Sequence, residues 1–330
     1  MKDELAIVIP AYKITFFKST LDSIADQTCK NFTLYIGDDA SKDDFCELVE
    51  NYKERINIVY KRFDENLGQK DLVAHWNRCI DLVRKEEWIW FFSDDDLMEP
   101  GCVELFYKHI EKHQDDTLLH FNVQVINEAD INLYKPRKFR SHFSTMEFFS
   151  KRLNNKISSM GMDFIFKKKA FEKVNRFQSF DLAWSSDNAT WLKLSIYNGI
   201  TTIEGAMVKW RHSSLCISSI SEDRNIVLRK VNANINYLKW VKLFFNQNKL
   251  RDVTSEMQKA SWLTSIIAQT SALSYNEKYH LVIFCLQQLK LSRLTLRVLS
   301  LWLFRELKKN VKSLLFLNSM NNKSIIIIKL

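Results

Sequence analysis

The first half of the chain alternates between short continuous apolar runs and stretches with apolar residues three and four apart. Leu5–Pro10 reads as a buried strand, and Phe17, Leu21 and Ile24 follow at helical spacing. Phe32–Gly37 is the next strand. Ser41 and Asp43 can cap a helix whose inner face carries Phe45, Leu48, Val49 and Tyr52. Ile56–Tyr60 is a third strand, and Leu72, Trp76, Cys79, Ile80 and Val83 mark the helix after it. Trp88–Phe92 is a fourth strand, followed by a helix on Val103, Phe106 and Ile110, and Leu118–Ile126 is a fifth.

Repeated strand-then-helix units with apolar strands predict an α/β fold whose mostly parallel sheet is covered on both faces. Such sheets bind ligands beyond the carboxyl ends of their strands. The polar residues just after each strand are therefore where chemistry is sought. They are Ala11-Tyr12, Asp38 to Ser41, Asn66 to Gly68, and Ser93 to Asp96.

The middle of the chain is more mixed. Ser144 and Glu147 form a capping box. Asp163–Phe166, Ile200–Ile203 and Met207–Trp210 read as strands, and Asp187–Tyr197 as a helix. From about residue 221 onward the pattern is helical. The expected domains are 1–220, catalytic, and 221–330, a basic and amphipathic helical extension.

Composition sharpens this picture at three points. The chain has 6 Gly and 3 Pro, against roughly 23 and 16 expected at average usage. It is therefore rich in regular structure, and each glycine it keeps has a backbone reason. The net charge of +9 belongs almost wholly to residues 281–330, with nine basic side chains and one acid. A nucleic-acid groove through the body is thereby excluded. The six cysteines show no C-x-x-C and no zinc spacing. With no signal-peptide pattern at the start and no long uncharged apolar run, the expectation is a cytoplasmic protein with free thiols and no membrane span.

Three consecutive carboxylates, Asp94 to Asp96, after a buried aromatic strand need a neutraliser. A divalent cation that accepts oxygen ligands, Mn²⁺ or Mg²⁺, is one answer, and a solvated loop is the other. Asp38-Asp39 leaves two readings as well. One acid caps the next helix, and the other accepts the N–H of a base or a ribose hydroxyl.

Taken together, these positions resemble the family 2 glycosyltransferases, an inverting group with a GT-A fold. The resemblance rests on IVIPAY at 7–12, LDSIADQTCKNFTLYIGDDAS at 21–41, Asn66-x-Gly68 with Asn77, and FFSDDDLMEP at 91–100. It covers roughly residues 5–215. It implies a three-layer α/β/α domain with a C-terminal helical extension, and a nucleotide-sugar donor, uridine-linked. Pro10, Ala11, Tyr12, Asn66 and Gly68 then line the donor pocket. Asp39 accepts from the base, Asp94 lies near the ribose, and Asp95 ligates the metal, with Asp96 beside it acting through water. Ser93 stands where the family has its first motif Asp. Ala40 replaces the common Gly or Asn of its turn, which suits a negative φ.

An inverting transfer also needs a base for the acceptor hydroxyl. The resemblance places it at Asp187, with Ser186 replacing the family's Glu. The alternative for Asp187 is a helix N-cap. Trp184 stacks on an acceptor sugar or fills the core. Arg211 pairs with the diphosphate, and His212 completes the metal shell. Lys167 to Lys169 reads as a solvated face.

The stretch 291–316 mixes Leu, Trp and Phe with Arg and Lys. It packs on the body, lies on an anionic membrane at its cytoplasmic face, or forms a homodimer. A membrane-facing tail points to a lipid-linked glycan acceptor in surface polysaccharide or O-antigen assembly. Two other readings stand beside this one. A nucleotidyltransferase would need a Gly-rich loop where Ala11-Tyr12-Lys13 stands, and an adaptor would be a degenerate transferase with a membrane-binding tail.

Overall fold

The structure is a computed structural model and describes residues 4–304. The end of the basic stretch and the final isoleucine-rich run lie outside the described residues. The chain divides into two compact units. One runs to Ile220 and includes Trp240–Val253, and the other holds Ser221–Lys239 and the residues from Thr254 on.

The first unit follows the alternation read above. Its elements run β1 (Leu5–Ala11), α1 (Phe17–Ala25), β2 (Phe32–Asp38), α2 (Phe45–Glu50), β3 (Asn57–Arg62), α3 (Leu72–Ile80) and β4 (Trp88–Phe91). Next come β5 (Leu97–Met98), α4 (Cys102–Ile110), β6 (Leu118–Ile126), β7 (Asn132–Tyr134), β8 (His142–Phe143) and α5 (Thr145–Leu153). The unit continues with β9 (Phe164–Lys167), α6 (Lys168–Lys173), α7 (Ser186–Ser195) and β10 (Ile200–Arg211).

One mixed α/β sheet has the order β3-β2-β1-β4-β9-β6-β10-β5, with β7 on β6 and β8 on β10. The strands β3, β2, β1 and β4 are mutually parallel. β9 is antiparallel to both β4 and β6, and β10 is parallel to β6. The carboxyl ends of β1, β2, β3, β4, β6 and β10 therefore share one edge, and the start of β9 joins them there.

Leu5 to Ile9 are fully buried because alternate residues face opposite covers. Leu5, Ile7 and Ile9 join a core with Phe17, Phe45 and Phe106 from α1, α2 and α4, while α3 packs on β1 and β2. Each such side chain stabilises the fold by roughly 1.5–3 kcal/mol. Trp90 stacks on Phe121 at 5.1 Å, and its indole N–H donates to the Met162 carbonyl at 2.8 Å. A buried indole needs such a partner.

Several local expectations change. Asp44 caps α2, accepting from the Glu47 N–H at 3.1 Å, in place of Ser41 or Asp43. The two strands expected at 200–203 and 207–210 are one strand. Its register shifts between Ile203 and Met207, where Gly205 takes φ +104 as a bulge requires. The lysine run at 167–169 is partly tied down. Lys167 Nζ lies 5.1 Å from the Trp88 ring, and Lys168 Nζ donates to Val83 at 2.8 Å.

The second unit contains α9 (Glu256–Gln269), α10 (Tyr275–Gln288) and the first part of α8 (Arg224–Gln247). Capping boxes at Ser255/Gln258 and Ser274/Glu277 start α9 and α10. Val231, Leu263, Ile267, Val282, Val298 and Trp302 form its core. The basic stretch thus buries part of its apolar set within this unit. Among the described residues no helix is long and apolar enough to cross a membrane.

Ala40 has φ +52 and not the negative value expected of it. A Cβ in that region costs about 1–2 kcal/mol. Ala40→Gly is expected to raise stability by about 1 kcal/mol after the unfolded-state entropy of glycine is counted. Urea unfolding of the two proteins checks this.

Candidate active site

The shared strand edge gathers most of the residues singled out above. At the end of β2 the two aspartates divide their work, and neither caps α2. Asp38 is buried and accepts from the Ser41 N–H at 2.8 Å, the Tyr60 hydroxyl at 2.7 Å and Arg62 at 2.9 Å. It holds the turn. Asp39 is 3% exposed. It accepts from the backbone N–H groups of Leu67 at 2.9 Å and Gly68 at 2.8 Å, and Arg78 donates to its Oδ1. Its Oδ2 receives the Gly68 N–H, and no other donor reaches that oxygen among the described residues.

Gly68 is needed for this arrangement. A Cβ on it would sit 2.6 Å from Asp39 Oδ2. Ala11 ties in through its carbonyl, which accepts the Asp39 N–H at 2.9 Å. Pro10 is half-buried and Tyr12 is exposed beside them. Asn66 Oδ1 accepts from the Gln69 N–H at 2.9 Å, closing the turn that presents Gly68.

The three consecutive carboxylates are treated one by one. Asp94 Oδ2 accepts the main-chain N–H groups of Tyr12 at 2.9 Å and Lys13 at 2.8 Å. Burial and the neighbouring Asp95 still push its carboxyl up to about 6. Asp96 turns inward. It takes the Arg211 N–H at 2.7 Å on Oδ1 and the Ser93 hydroxyl on Oδ2, and burial raises it well above the usual carboxylate range. Its carboxyl shapes the loop and does not face outward. Asp95 is the one that accepts no main-chain N–H among the described residues, and its side chain is 11% exposed. Its Oδ2 has Lys13 Nζ at 3.6 Å and the Cys216 thiol at 3.3 Å.

Arg211 is 1% exposed. Its guanidinium donates to the carbonyls of Asp95 at 2.7 Å and Asn127 at 3.1 Å, pairs with Asp130 at 2.5 Å, and lies 4.5 Å from the Phe16 ring centre. It braces the acidic loop from behind, where the sequence suggested a phosphate ligand. His212 is exposed, with its ring 5.8 Å from Trp210.

Among the described residues no group of three or more His, Cys, Asp or Glu side chains converges to hold a metal. The donor set still fits a Mg²⁺ or Mn²⁺ ion of one kind. Asp95 offers one carboxylate, and such ions commonly take one or two carboxylates with substrate phosphates and water.

Asp187 sits in the first turn of α7, and the N-cap is Ser185 at φ +68. Ser185 makes no side-chain cap bond there, and Asp187 Oδ1 accepts the Asn188 N–H at 2.7 Å. Burial raises the Asp187 carboxyl to about 6, against hydrogen bonds from Asn188 and the nearby Arg152 cation, with Asp163 adding to the rise. Arg152 in turn holds Asn188 Oδ1 at 2.9 Å. A Cβ on Gly161 would lie 3.9 Å from Asp187 Oδ2. Trp90 of β4 anchors that same loop through Met162.

The segment before α7 is strained. Leu182, Ala183 and Ser185 all have φ between +53 and +68. Ser186, standing in the Glu position, accepts the Phe180 N–H at 3.0 Å and holds this segment to the helix. Trp184 is half-buried within it.

Three contributors escaped the sequence reading. Lys13 follows the first-strand motif directly. Burial lowers its pKa, but Asp94 and Asp95 outweigh that and leave it raised. His75 and Arg78 share the face of α3 toward Asp39. Burial pushes His75 down to about 4, and its neutral Nδ1 accepts from Arg78 at 3.1 Å. Polar residues at 71, 75 and 78, spaced as one helical face, were the available signal.

The profile of the family described as Glycosyl transferase family 2 matches residues 6–174, about half the chain. Asp187, Arg211 and His212 lie beyond the matched segment. An uncharacterized glycosyltransferase of Methanocaldococcus jannaschii is 28% identical over 171 residues, 50% of this chain and 58% of that protein. Glycosyltransferase GlyA of Streptococcus pneumoniae is 28% identical over 133 residues, 40% of this chain and 18% of its own. The matches thus span less than two thirds of these curated relatives. Among solved structures, TarS 1-349 of S. aureus in complex with UDP-GlcNAc is similar, with TM-score 0.56 and 16% identity, over 89% of this chain and 90% of that one. At that identity the likeness is one of fold, the GT-A type of α/β domain.

Two substitutions separate support from binding. Gly68→Ala must displace the Asp39 carboxylate. It is expected to lower uridine nucleotide affinity at least tenfold by calorimetry, since charged hydrogen bonds contribute about 1.5–3 kcal/mol. Arg211→Met is expected to lower stability by about 3 kcal/mol in urea unfolding. Lost nucleotide affinity at unchanged stability would make Arg211 a phosphate ligand instead.

Proposed function

The chain belongs to glycosyl transferase family 2, and from that premise we propose that it is an inverting transferase. It moves a sugar from a uridine diphosphate donor to a hydroxyl of a glycan. The observation that carries this is the division of two carboxylates at one sheet edge. Asp95 pairs with the Lys13 cation, and Asp187 is held with its pKa raised to about 6. A base poised near the operating pH is what proton abstraction from a hydroxyl requires.

The base of the donor lies between Pro10 to Tyr12 and the Asn66–Gly68 turn, and its imide N–H donates to Asp39 Oδ2. The complex of TarS with UDP-GlcNAc supports a uridine-linked donor for this fold. A Mn²⁺ or Mg²⁺ ion would be held by Asp95, with His212, next to Arg211 in sequence, as a further ligand, and would supply positive charge for the donor's diphosphate. When bound, that ion offsets the negative charge on the departing diphosphate. Lys13 adds a cation at the same place.

The acceptor oxygen attacks the anomeric carbon as Asp187 takes its proton. The bond from that carbon to the diphosphate oxygen breaks, UDP leaves, and the configuration inverts. Trp184 offers an aromatic face to the acceptor. A lipid-linked glycan of a surface polysaccharide is the acceptor class we favour, from the mix of apolar and basic residues in the C-terminal stretch.

UDP is expected to raise the melting temperature, and Mn²⁺ to increase that shift. A ligand at 100 times its Kd adds about 2.7 kcal/mol. Lys13→Met is expected to tighten Mn²⁺ binding by removing a competing charge, and to weaken UDP binding in EDTA. If UDP gives no shift under any condition, the donor assignment fails.

Asp187→Asn is expected to lower kcat by at least a hundredfold with KM for the donor unchanged, and wild-type kcat/KM should rise with pH through about 6. The folded pKa of Asp187 lies above its unfolded value near 3.8. Its stabilising contribution is therefore complete below that value and is lost as pH rises through about 6. Asp187→Asn should consequently raise the melting temperature at neutral pH. A variant with near wild-type turnover would remove Asp187 from the chemistry.

A further inference from the structure

The hairpin after β6 carries side chains that the catalytic edge does not use. β7 runs antiparallel to β6, with Val125 opposite Tyr134 and Ile126 opposite Asn132. It is open along its length. Ile131 is 61% exposed, Leu133 51% and Tyr134 56%. Natural edge strands are normally covered or charged, so three open apolar side chains within four residues mark a contact surface.

The residues that follow are cationic. Lys135, Arg137, Lys138 and Arg140 are all exposed, and no acid occurs from 131 to 140. The two acids of the preceding turn are engaged elsewhere. Glu128 accepts from the Ser214 N–H at 2.8 Å, and Asp130 pairs with the buried Arg211. Arg140 lies 3.7 Å from Glu147. Lys135, Arg137 and Lys138 make no ion pair among the described residues. The Ser214 contact also fastens the hairpin turn to the loop after β10, where Leu215 and Ile217 are exposed and Cys216 touches Asp95. The hairpin turn therefore sits beside the catalytic edge, and the cationic segment runs from it back along β6, with the Phe139 N–H on Asn122.

We propose that this hairpin docks the catalytic unit on an anionic membrane surface. Ile131, Leu133 and Tyr134 enter the headgroup and acyl boundary, and Lys135, Arg137 and Lys138 meet the lipid phosphates. Apolar insertion plus cationic attraction is the combination that holds proteins at such interfaces. A nucleic acid would satisfy the cations and leave the apolar strand in water. This surface is separate from the C-terminal basic stretch, and it does not depend on the identity of the donor.

The test is sedimentation of the full chain with vesicles of neutral phosphatidylcholine, and with vesicles containing added phosphatidylglycerol. Binding is expected on the anionic vesicles, and it should weaken in high salt. The triple variant Lys135→Gln, Arg137→Gln, Lys138→Gln should lower the partition coefficient about 100-fold, from roughly a fivefold share per lost charge. Ile131→Ser, Leu133→Ser, Tyr134→Ser should lower it at least tenfold. All six positions are exposed, so both variants should keep the wild-type melting temperature and the wild-type UDP shift. Three results would overturn the proposal. They are no binding of wild type to anionic vesicles, full binding by both variants, and a concentration-dependent dimer abolished by the serine variant. A missing UDP shift in wild type would bear on the donor reading alone.

Discussion

Three adjacent carboxylates in a buried loop set the terms for the rest of this molecule. Their mutual repulsion and desolvation must be offset, and the fold does so unequally. Asp94 receives two main-chain N–H groups from the end of β1. Asp96 is closed off by Ser93 and by the main chain of Arg211 at the end of β10. Asp95 takes no main-chain donor among the described residues and meets Lys13 and the Cys216 thiol instead. The loop thus ties β1 to β10 across the sheet.

The same economy runs through Asp38 and Asp39, where one acid holds a turn and its neighbour holds the Leu67 and Gly68 backbone. It extends to Asp187, where burial and not a neighbouring charge is the main cause of the raised carboxyl. In each case the role of a carboxylate is decided by its donors and its burial. Residue type alone does not decide it.

The fold was legible because buried parallel strands leave continuous apolar runs, and Leu5–Pro10 and Trp88–Phe92 could hardly be read otherwise. The family resemblance was legible for the same reason, since its motifs sit at strand ends. Two- and three-residue strands such as β5 and β7 have no period to detect. The left-handed Ala40 and the bulge at Gly205 depend on tertiary packing, and only the glycine left a trace in the sequence. Arg211 shows the sharper limit. Nothing local to Arg211 announces that it will be buried with its guanidinium on the carbonyls of Asp95 and Asn127. Arg78 was recoverable from helical spacing, but that requires knowing that α3 turns this face toward Asp39.

The left-handed residues ahead of α7 bear on how this protein can change over time. Leu182, Ala183 and Ser185 each hold a conformation that β-branched side chains resist. Bonds from Phe180 to Ser186 and from Gln178 to Thr190 keep the backbone in that path whatever the side chains prefer. Sequence drift in this stretch is therefore channelled toward glycine, asparagine and other small residues. The neighbouring half-buried Trp184, whose own φ is −69, is exempt from that backbone constraint.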